Sequence, residues 1–343
     1  MIKVSIIGAN GYTGYELLRI LANHSKVNIA YAASRSQAGE FVHKLYPSLY
    51  NSYPNLKFCE VDTKLIAKGS DIVFTALPHK TSAEVCAELI KYGIKVIDLS
   101  ADFRYDDLSA YEQTYGVTHP CKELNPTAVY GLSEINRQKI KTANLIANPG
   151  CYTTCAILPL YPLLKNKVIG ATNIIIDAKS GVSGAGRQAK EDFSFTELSG
   201  NFKAYGVTTH RHNSEIDEKL SLAADKDIKT VFTPHLLPIK RGILATIYAD
   251  LIAGEKQVNA AYTEFYGNEY FVKVLPDLPD LKHIAGSNEC RISYRIDKKT
   301  NKIVIVAALD NLVKGASGQA VQNMNIMCGF DEKLGLTNIT REL

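Results

Sequence analysis

The sequence predicts an α/β protein with two parts: a doubly wound parallel sheet, then an α+β domain with a mixed sheet. Three observations carry this. Short apolar strands alternate with helical segments over the first 148 residues. A glycine-rich turn joins the first strand to the first helix. Beyond Pro149 the apolar strands lengthen and follow one another directly.

The elements fall in order. Residues 3–7 (KVSII) read as a buried strand, and residues 15–22 have helical apolar spacing. Residues 27–33, 71–76, 95–99 and 144–147 are further strands, with a helical stretch at 81–92. Strands alternating with helices pair in parallel through right-handed crossovers, which gives a Rossmann-type doubly wound sheet. Residues 103–126 show weak periodicity and read as an irregular excursion over the carboxyl edge of the sheet. In the second part, residues 172–178, 229–234 and 242–251 are strand-like, and 290–296 with 302–309 flank a turn and form a hairpin. Residues 315–328 are helical, small residues first, and are expected to return to the first domain. The expected division is 1–148 plus about 311–343 for the nucleotide domain, and 149–310 for the catalytic α+β domain.

With 343 residues, 46% hydrophobic and 22% charged, the chain has room for two cores and the composition of a globular protein. Lys+Arg 39 against Asp+Glu 35 leaves a net charge of +4, too small to point to nucleic acid or membrane as a partner. No apolar run approaches the ~18 residues of a membrane span, and the first residues lack signal-peptide organisation. Seven cysteines at irregular spacing fit reduced thiols in a cytoplasm, and no Cys/His cluster has metal-ligand spacing.

Gly8, Asn10, Gly11, Tyr12, Thr13 and Gly14 form a GxxGxxG turn between strand and helix. Glycines there let the backbone approach a pyrophosphate, and the helix start offers free N–H groups. Where the second strand ends, an NAD site usually places a carboxylate for the ribose. This chain has Ser34, Arg35 and Ser36 instead, which suits a 2′-phosphate and favours NADP.

Cys151 follows Asn148-Pro149-Gly150 and precedes a helical stretch at 156–164. A cysteine at a helix start is favoured as thiolate, so Cys151 is the expected nucleophile and Cys155 a core residue. A thiolate beside a bound nicotinamide permits thioester chemistry on an acyl phosphate, followed by hydride reduction to an aldehyde. The acid/base candidates are His210 and His212. Glu215 is placed to orient an imidazole or grip substrate, and His235 is a second candidate more suited to positioning. Arg104 and Arg241 are candidates for anion recognition. Ser180, Ser183 and Gly184 lie in a second glycine-rich loop that lacks the ending of a P-loop and fits nicotinamide or substrate instead.

These motifs together resemble the N-acetyl-gamma-glutamyl-phosphate reductases, a branch of the aspartate-semialdehyde dehydrogenase superfamily. The resemblance spans the chain: GANGYTG, LSADFR (99–104), YGLSE (130–134), ANPGCYTT (147–154), KSGVSGAGR (179–187), HRHNSEI (210–216), TPHLLPIKRGI (233–243) and NLVKGASGQAVQNMN (311–325). It implies NADPH-dependent reductive dephosphorylation of N-acetyl-gamma-glutamyl phosphate through a thioester on Cys151, in arginine biosynthesis. It further implies an acid/base from the His210/His212 pair, with His210 and Glu215 alternatively holding substrate, 2′-phosphate contacts from Ser34, Arg35 and Ser36, and a cofactor-side role for Asn311. Arg104, Ser180 and Arg241 are the further substrate-binding candidates that the residues themselves suggest. A cytoplasmic homo-oligomer, dimer or tetramer, is implied as well. The family usually has Pro where this chain has Thr153. An N-succinyl or carrier-bound glutamyl or aminoadipyl phosphate would suit the same scaffold. Aspartate-semialdehyde dehydrogenase, a Cys/His hydrolase and an NADPH-binding sensor are the rival readings.

Overall fold

The structure is a computed structural model and describes residues 1–337; the tail of the expected returning segment, 338–343, lies outside them. The chain divides into two units. Among the described residues, one is 1–149 with 316–337, and the other is Gly150–Gly315.

The first unit holds seven strands: β1 (Ile2–Ile7), β2 (Val27–Ala33), β3 (Phe58–Cys59), β4 (Ile72–Thr75), β5 (Lys95–Asp98), β6 (Ala128–Tyr130) and β7 (Leu145–Ala147). Their order is β3-β2-β1-β4-β5-β7-β6, and every neighbouring pair is parallel. The winding reverses between β1 and β4, the place where such sheets open a crevice beyond their carboxyl ends. All four residues of β4 are buried, as expected of a strand covered on both faces.

Besides the short strands β3 and β6 and the helix Thr63–Gly69, which the apolar runs did not mark, three parts of this unit differ from expectation. The first helix begins at Tyr12, with Gly11 as N-cap, because it starts directly from the glycine turn. The excursion at 103–126 contains a helix, Leu108–Tyr115. Asp107 caps it by accepting the Ser109 N–H, and Gly116 ends it in the left-handed conformation. Its buried face consists of Tyr111 and Tyr115, stacked at 4.9 Å, too few apolar residues for a visible period. A further helix, Ser133–Thr142, buries Ser133 and Glu134, and these polar groups are met by Gln319, Gln322 and Asn323 of the helix Gly318–Met327. That last helix is buried along its whole length within the first unit, and it follows a π-helical turn at Val313–Ser317.

The second unit holds β8 (Ile174–Gly181), β9 (Lys203–Ala204), β10 (Thr230–Leu237), β11 (Ile243–Asp250), β12 (Val272–Val274), β13 (Cys290–Asp297) and β14 (Lys302–Leu309). The order is β12-β13-β14-β11-β8-β10-β9, with parallel and antiparallel neighbours mixed. Burial alternates along β11, so Ile243, Ala245, Ile247 and Ala249 face a covering layer. The helix Cys151–Lys165 packs on β11 and β14, and the helix His212–Ala224 packs on β10. β10 runs past Pro234, where the sequence suggested it would stop. Pro234 directs its carbonyl toward Tyr205 on the side of the two-residue β9, where a missing N–H breaks no long ladder. Among the described residues no helix is long and apolar enough to cross a membrane.

Candidate active site

In the first unit, the turn after β1 is shaped by the absence of side chains. Gly8 has φ +87°, and a Cβ on it would lie 2.3 Å from the Ala76 carbonyl oxygen. A Cβ on Gly14 would lie 2.5 Å from the Gly8 carbonyl oxygen. Both glycines are therefore required by close backbone packing. Gly11 is roomier, its nearest atom at 3.6 Å. Above the turn, Asn10 Nδ2 donates to Ser36 Oγ at 3.2 Å, which ties the loop to the end of β2. Arg35 and Ser36 are exposed, whereas Ser34 is buried and its hydroxyl has no hydrogen-bond partner among the described residues. The N-cap of the helix Tyr12–Leu21 makes no side-chain bond, so its first N–H groups face the turn. A cradle closed to Cβ atoms, an open helix start and an unmatched buried hydroxyl fit a dinucleotide.

Arg104 and Asp102 organise the same carboxyl edge. Asp102 is buried and accepts the N–H groups of Lys80, Ser82 and Ala83. Arg104 is 4% exposed; its Nε donates to the Asn148 carbonyl at 2.7 Å and its Nη2 to the Leu99 carbonyl at 2.9 Å. The sequence pointed Arg104 toward an anion. The structure places these two donors on backbone carbonyls, one of them in the NPG turn.

In the second unit a cavity of about 410 Å³ gathers Cys151, Ser180, Gly184, His210 and His212, together with Tyr152, Lys203 and Tyr205. Cys151 is the first residue of its helix, with Gly150 as N-cap. The dipole there favours an anion by ~0.3–2 kcal/mol. Gly315 passes beside it, and a Cβ on Gly315 would sit 2.8 Å from the Cys151 Cβ.

Glu215 is fully buried and grips this helix start. Its Oε1 accepts the Gly150 N–H at 3.2 Å and the Thr153 hydroxyl at 3.1 Å. The same Thr153 hydroxyl lies 2.6 Å from the Gly150 carbonyl. His212 lies one turn before Glu215 on one helix, so that helix presents an imidazole to the cavity and a carboxylate to the nucleophile's turn.

The two imidazoles are not equivalent. The His212 backbone N–H donates to His210 Nδ1 at 3.1 Å, which leaves the proton of neutral His210 on Nε2. Burial, with Arg211 beside it, lowers the His210 pKa to about 4. Neutral His210 is therefore a donor, and its one basic nitrogen is engaged. Aromatic rings hold it: Tyr152, Tyr205 and Phe232 lie within 5.4–5.6 Å. The Tyr205 hydroxyl donates to that of Tyr152 at 3.1 Å, and burial pushes Tyr205 up to about 12. His235 stands apart, its Nδ1 3.1 Å from Asp177.

Asn311 acts behind the glycine-rich loop. Its Oδ1 accepts the Gly242 N–H at 2.7 Å and its Nδ2 donates to Ser183 Oγ at 2.9 Å. Arg241 reaches Asp310 at 3.3 Å. Tyr152, Lys203 and Tyr205 were not singled out by sequence. For Thr153 the available signal was its departure from the family's Pro. Lys203 and Tyr205 stand in a short stretch without periodicity and carry no signal.

Two family models match. Residues 3–143 match the semialdehyde dehydrogenase NAD binding domain, and residues 151–311 the semialdehyde dehydrogenase dimerisation domain. A curated relative from Pelotomaculum thermopropionicum, an N-acetyl-gamma-glutamyl-phosphate reductase, is 51% identical over 339 residues, 98% of this chain and 97% of the relative. The chain belongs to the N-acetyl-gamma-glutamyl-phosphate reductase family. Reductases of the same name from Geobacter sulfurreducens (51% over 344 residues, 99% of each chain) and Campylobacter jejuni (48% over 339 residues, 98% of each) agree. Solved structures share the fold at low identity. Aspartate semialdehyde dehydrogenase II from Vibrio cholerae, complexed with ASA, gives a TM-score of 0.72 at 18% identity over 96% of this chain and 98% of that one. The Candida albicans aspartate semialdehyde dehydrogenase with NADP gives 0.69 at 15%, over 96% and 99%. As a member of this family the chain is an oxidoreductase with a nicotinamide-binding domain.

Proposed function

We propose that the protein reduces N-acetyl-gamma-glutamyl phosphate to the gamma-semialdehyde, with NADPH as reductant, in the cytoplasmic synthesis of arginine. The carrying observation is Cys151 at a helix start in a cavity shared with His210 and His212.

Cys151 Sγ attacks the acyl-phosphate carbonyl; the C–O bond to phosphate breaks and a thioester forms. His212 takes the thiol proton and passes it to the departing phosphate. His210 cannot serve as that base, since its Nδ1 is held by a backbone N–H; its Nε2–H is available to donate to the carbonyl oxygen. When bound, the nicotinamide would supply the hydride that reduces the thioester. Collapse of the thiohemiacetal expels the aldehyde and returns the Cys151 thiolate.

Gly8, Asn10, Gly11, Tyr12, Thr13 and Gly14 would hold the pyrophosphate, and Ser34, Arg35 and Ser36 the 2′-phosphate that distinguishes NADPH from NADH. Ser180, Ser183 and Gly184 offer a loop for nicotinamide or substrate, braced by Asn311 and Arg241. Glu215 and Arg104 act through the NPG-Cys turn they grip. Two copies would associate through the outer face of the second sheet. There Val231 and Ile175 are exposed and stand in one row with Tyr248 and Val304.

The reverse assay tests the proposal. N-acetyl-glutamate gamma-semialdehyde, phosphate and NADP⁺ are expected to give phosphate-dependent NADPH absorbance. The N-succinyl analogue and aspartate semialdehyde run alongside. Turnover of the latter alone, or none despite NADPH binding, overturns the proposal.

A further inference from the structure

Strand register places three cavity-lining residues in one row. Lys203 of β9 pairs with Leu236 of β10, and Leu236 pairs with Ser180 of β8. In-register neighbours point to the same face, and all three line the cavity that holds Cys151. The row is polar at one end, apolar in the middle and cationic at the other. Two strand spacings separate the Ser180 and Lys203 backbones, roughly 10 Å. At the Ser180 end the cavity also holds Cys151 and Tyr152, which follows the nucleophile in sequence. At the other end, Lys203 is exposed on a short strand and has no ion-pair or hydrogen-bond partner for its ammonium among the described residues. Asp192, which also lines the cavity, makes no ion pair with it.

An N-acyl-glutamyl phosphate has a matching sequence of groups. Its reacting carbonyl and phosphate occupy one end, two methylenes follow, and the α-carboxylate lies at the other. The phosphate is bonded to the carbon that Sγ attacks, so it stays near Cys151. We infer that Lys203 receives the α-carboxylate, with Leu236 under the methylenes, and that this pairing makes the enzyme select a carboxylated acyl chain. The inference rests on the reductase reading above.

The test compares two aldehydes in the reverse assay: N-acetyl-glutamate gamma-semialdehyde and N-acetyl-4-aminobutanal, which is the same molecule without its carboxylate. Wild type is expected to prefer the first. K203M is expected to lose about ten- to a hundredfold in kcat/KM toward the first, chiefly through KM, and nothing toward the second. K203R is expected to recover part of the loss. An equal loss with both aldehydes, or a raised KM for phosphate with both, would place Lys203 on the phosphate and overturn the inference; so would an unchanged K203M. Wild type silent with both aldehydes would overturn the reductase reading itself.

Discussion

The two units build their sites by opposite means. In the first, the nucleotide turn exists because side chains are missing: Gly8 and Gly14 occupy positions where a Cβ would meet backbone at 2.3 and 2.5 Å. In the second, the cavity exists because side chains hold one another. Glu215 clamps Gly150 and Thr153, a backbone N–H fixes His210, and Tyr205 bonds Tyr152. A site made of absences depends on local backbone and survives changes at its exposed rim. A site made of interlocked side chains depends on residues far apart in sequence and is sensitive to small displacements.

Four substitutions sharpen that contrast. Cys151→Ala is expected to reduce turnover by on the order of 10⁴-fold or more, while NADPH titration by fluorescence stays near wild type. Strong loss of NADPH binding as well would mean that the two sites are not separable. Gly315→Ala is expected next. Its Cβ would press on Cys151 at 2.8 Å, and displacing a nucleophile by a fraction of an ångström to one ångström costs about 10² in kcat. Steady-state kinetics beside a thermal melt checks it, and unaltered kcat would show that the helix start yields freely.

Arg35→Ala addresses the exposed rim of the first site. It is expected to weaken NADPH binding about ten- to a hundredfold and NADH binding little, with folding unchanged. Equal weakening of both moves the 2′-phosphate contact elsewhere. The smallest effect concerns pH. Burial holds the folded His210 near 4, below the ordinary 6.5 of the unfolded chain, so unfolding takes up a proton in between. Stability from this group is present above pH 6.5 and is lost as pH falls toward 4. His210→Asn should flatten part of that slope in urea titrations at pH 7 and pH 5. Burial lowers His24 and His119 as well, so part of the slope remains.

The same contrast explains what the sequence disclosed. Gly8, Gly11 and Gly14 are adjacent in the chain and carry their meaning locally, as does Cys151 after Pro149-Gly150. The longer strands of both sheets were readable from apolar runs, whereas β3, β6, β9 and β12, each two or three residues long, were not, being too short to form a run. The helix Ser133–Thr142 was not, because beside Ile140 it buries Ser133 and Glu134, polar residues that make sense only against Gln319, Gln322 and Asn323, nearly two hundred residues away. Arg104 and Glu215 looked like substrate contacts because charge in a motif suggests a ligand. Both side chains also bond the nucleophile's turn, at the Asn148 carbonyl, the Gly150 N–H and the Thr153 hydroxyl, which only the folded chain brings within reach. Lys203 became visible only through the register of β9 on β10 and β8.

The central claim is a covalent step at Cys151, and one experiment reaches it directly. Wild-type enzyme is mixed with N-acetyl-glutamate gamma-semialdehyde and NADP⁺ in the absence of phosphate, with NADPH followed by stopped flow and the protein by intact mass. The account predicts a burst of about one NADPH per chain, an acyl adduct that maps to Cys151, and resumed turnover when phosphate is added. No burst and no adduct, or an adduct on another residue, would contradict it.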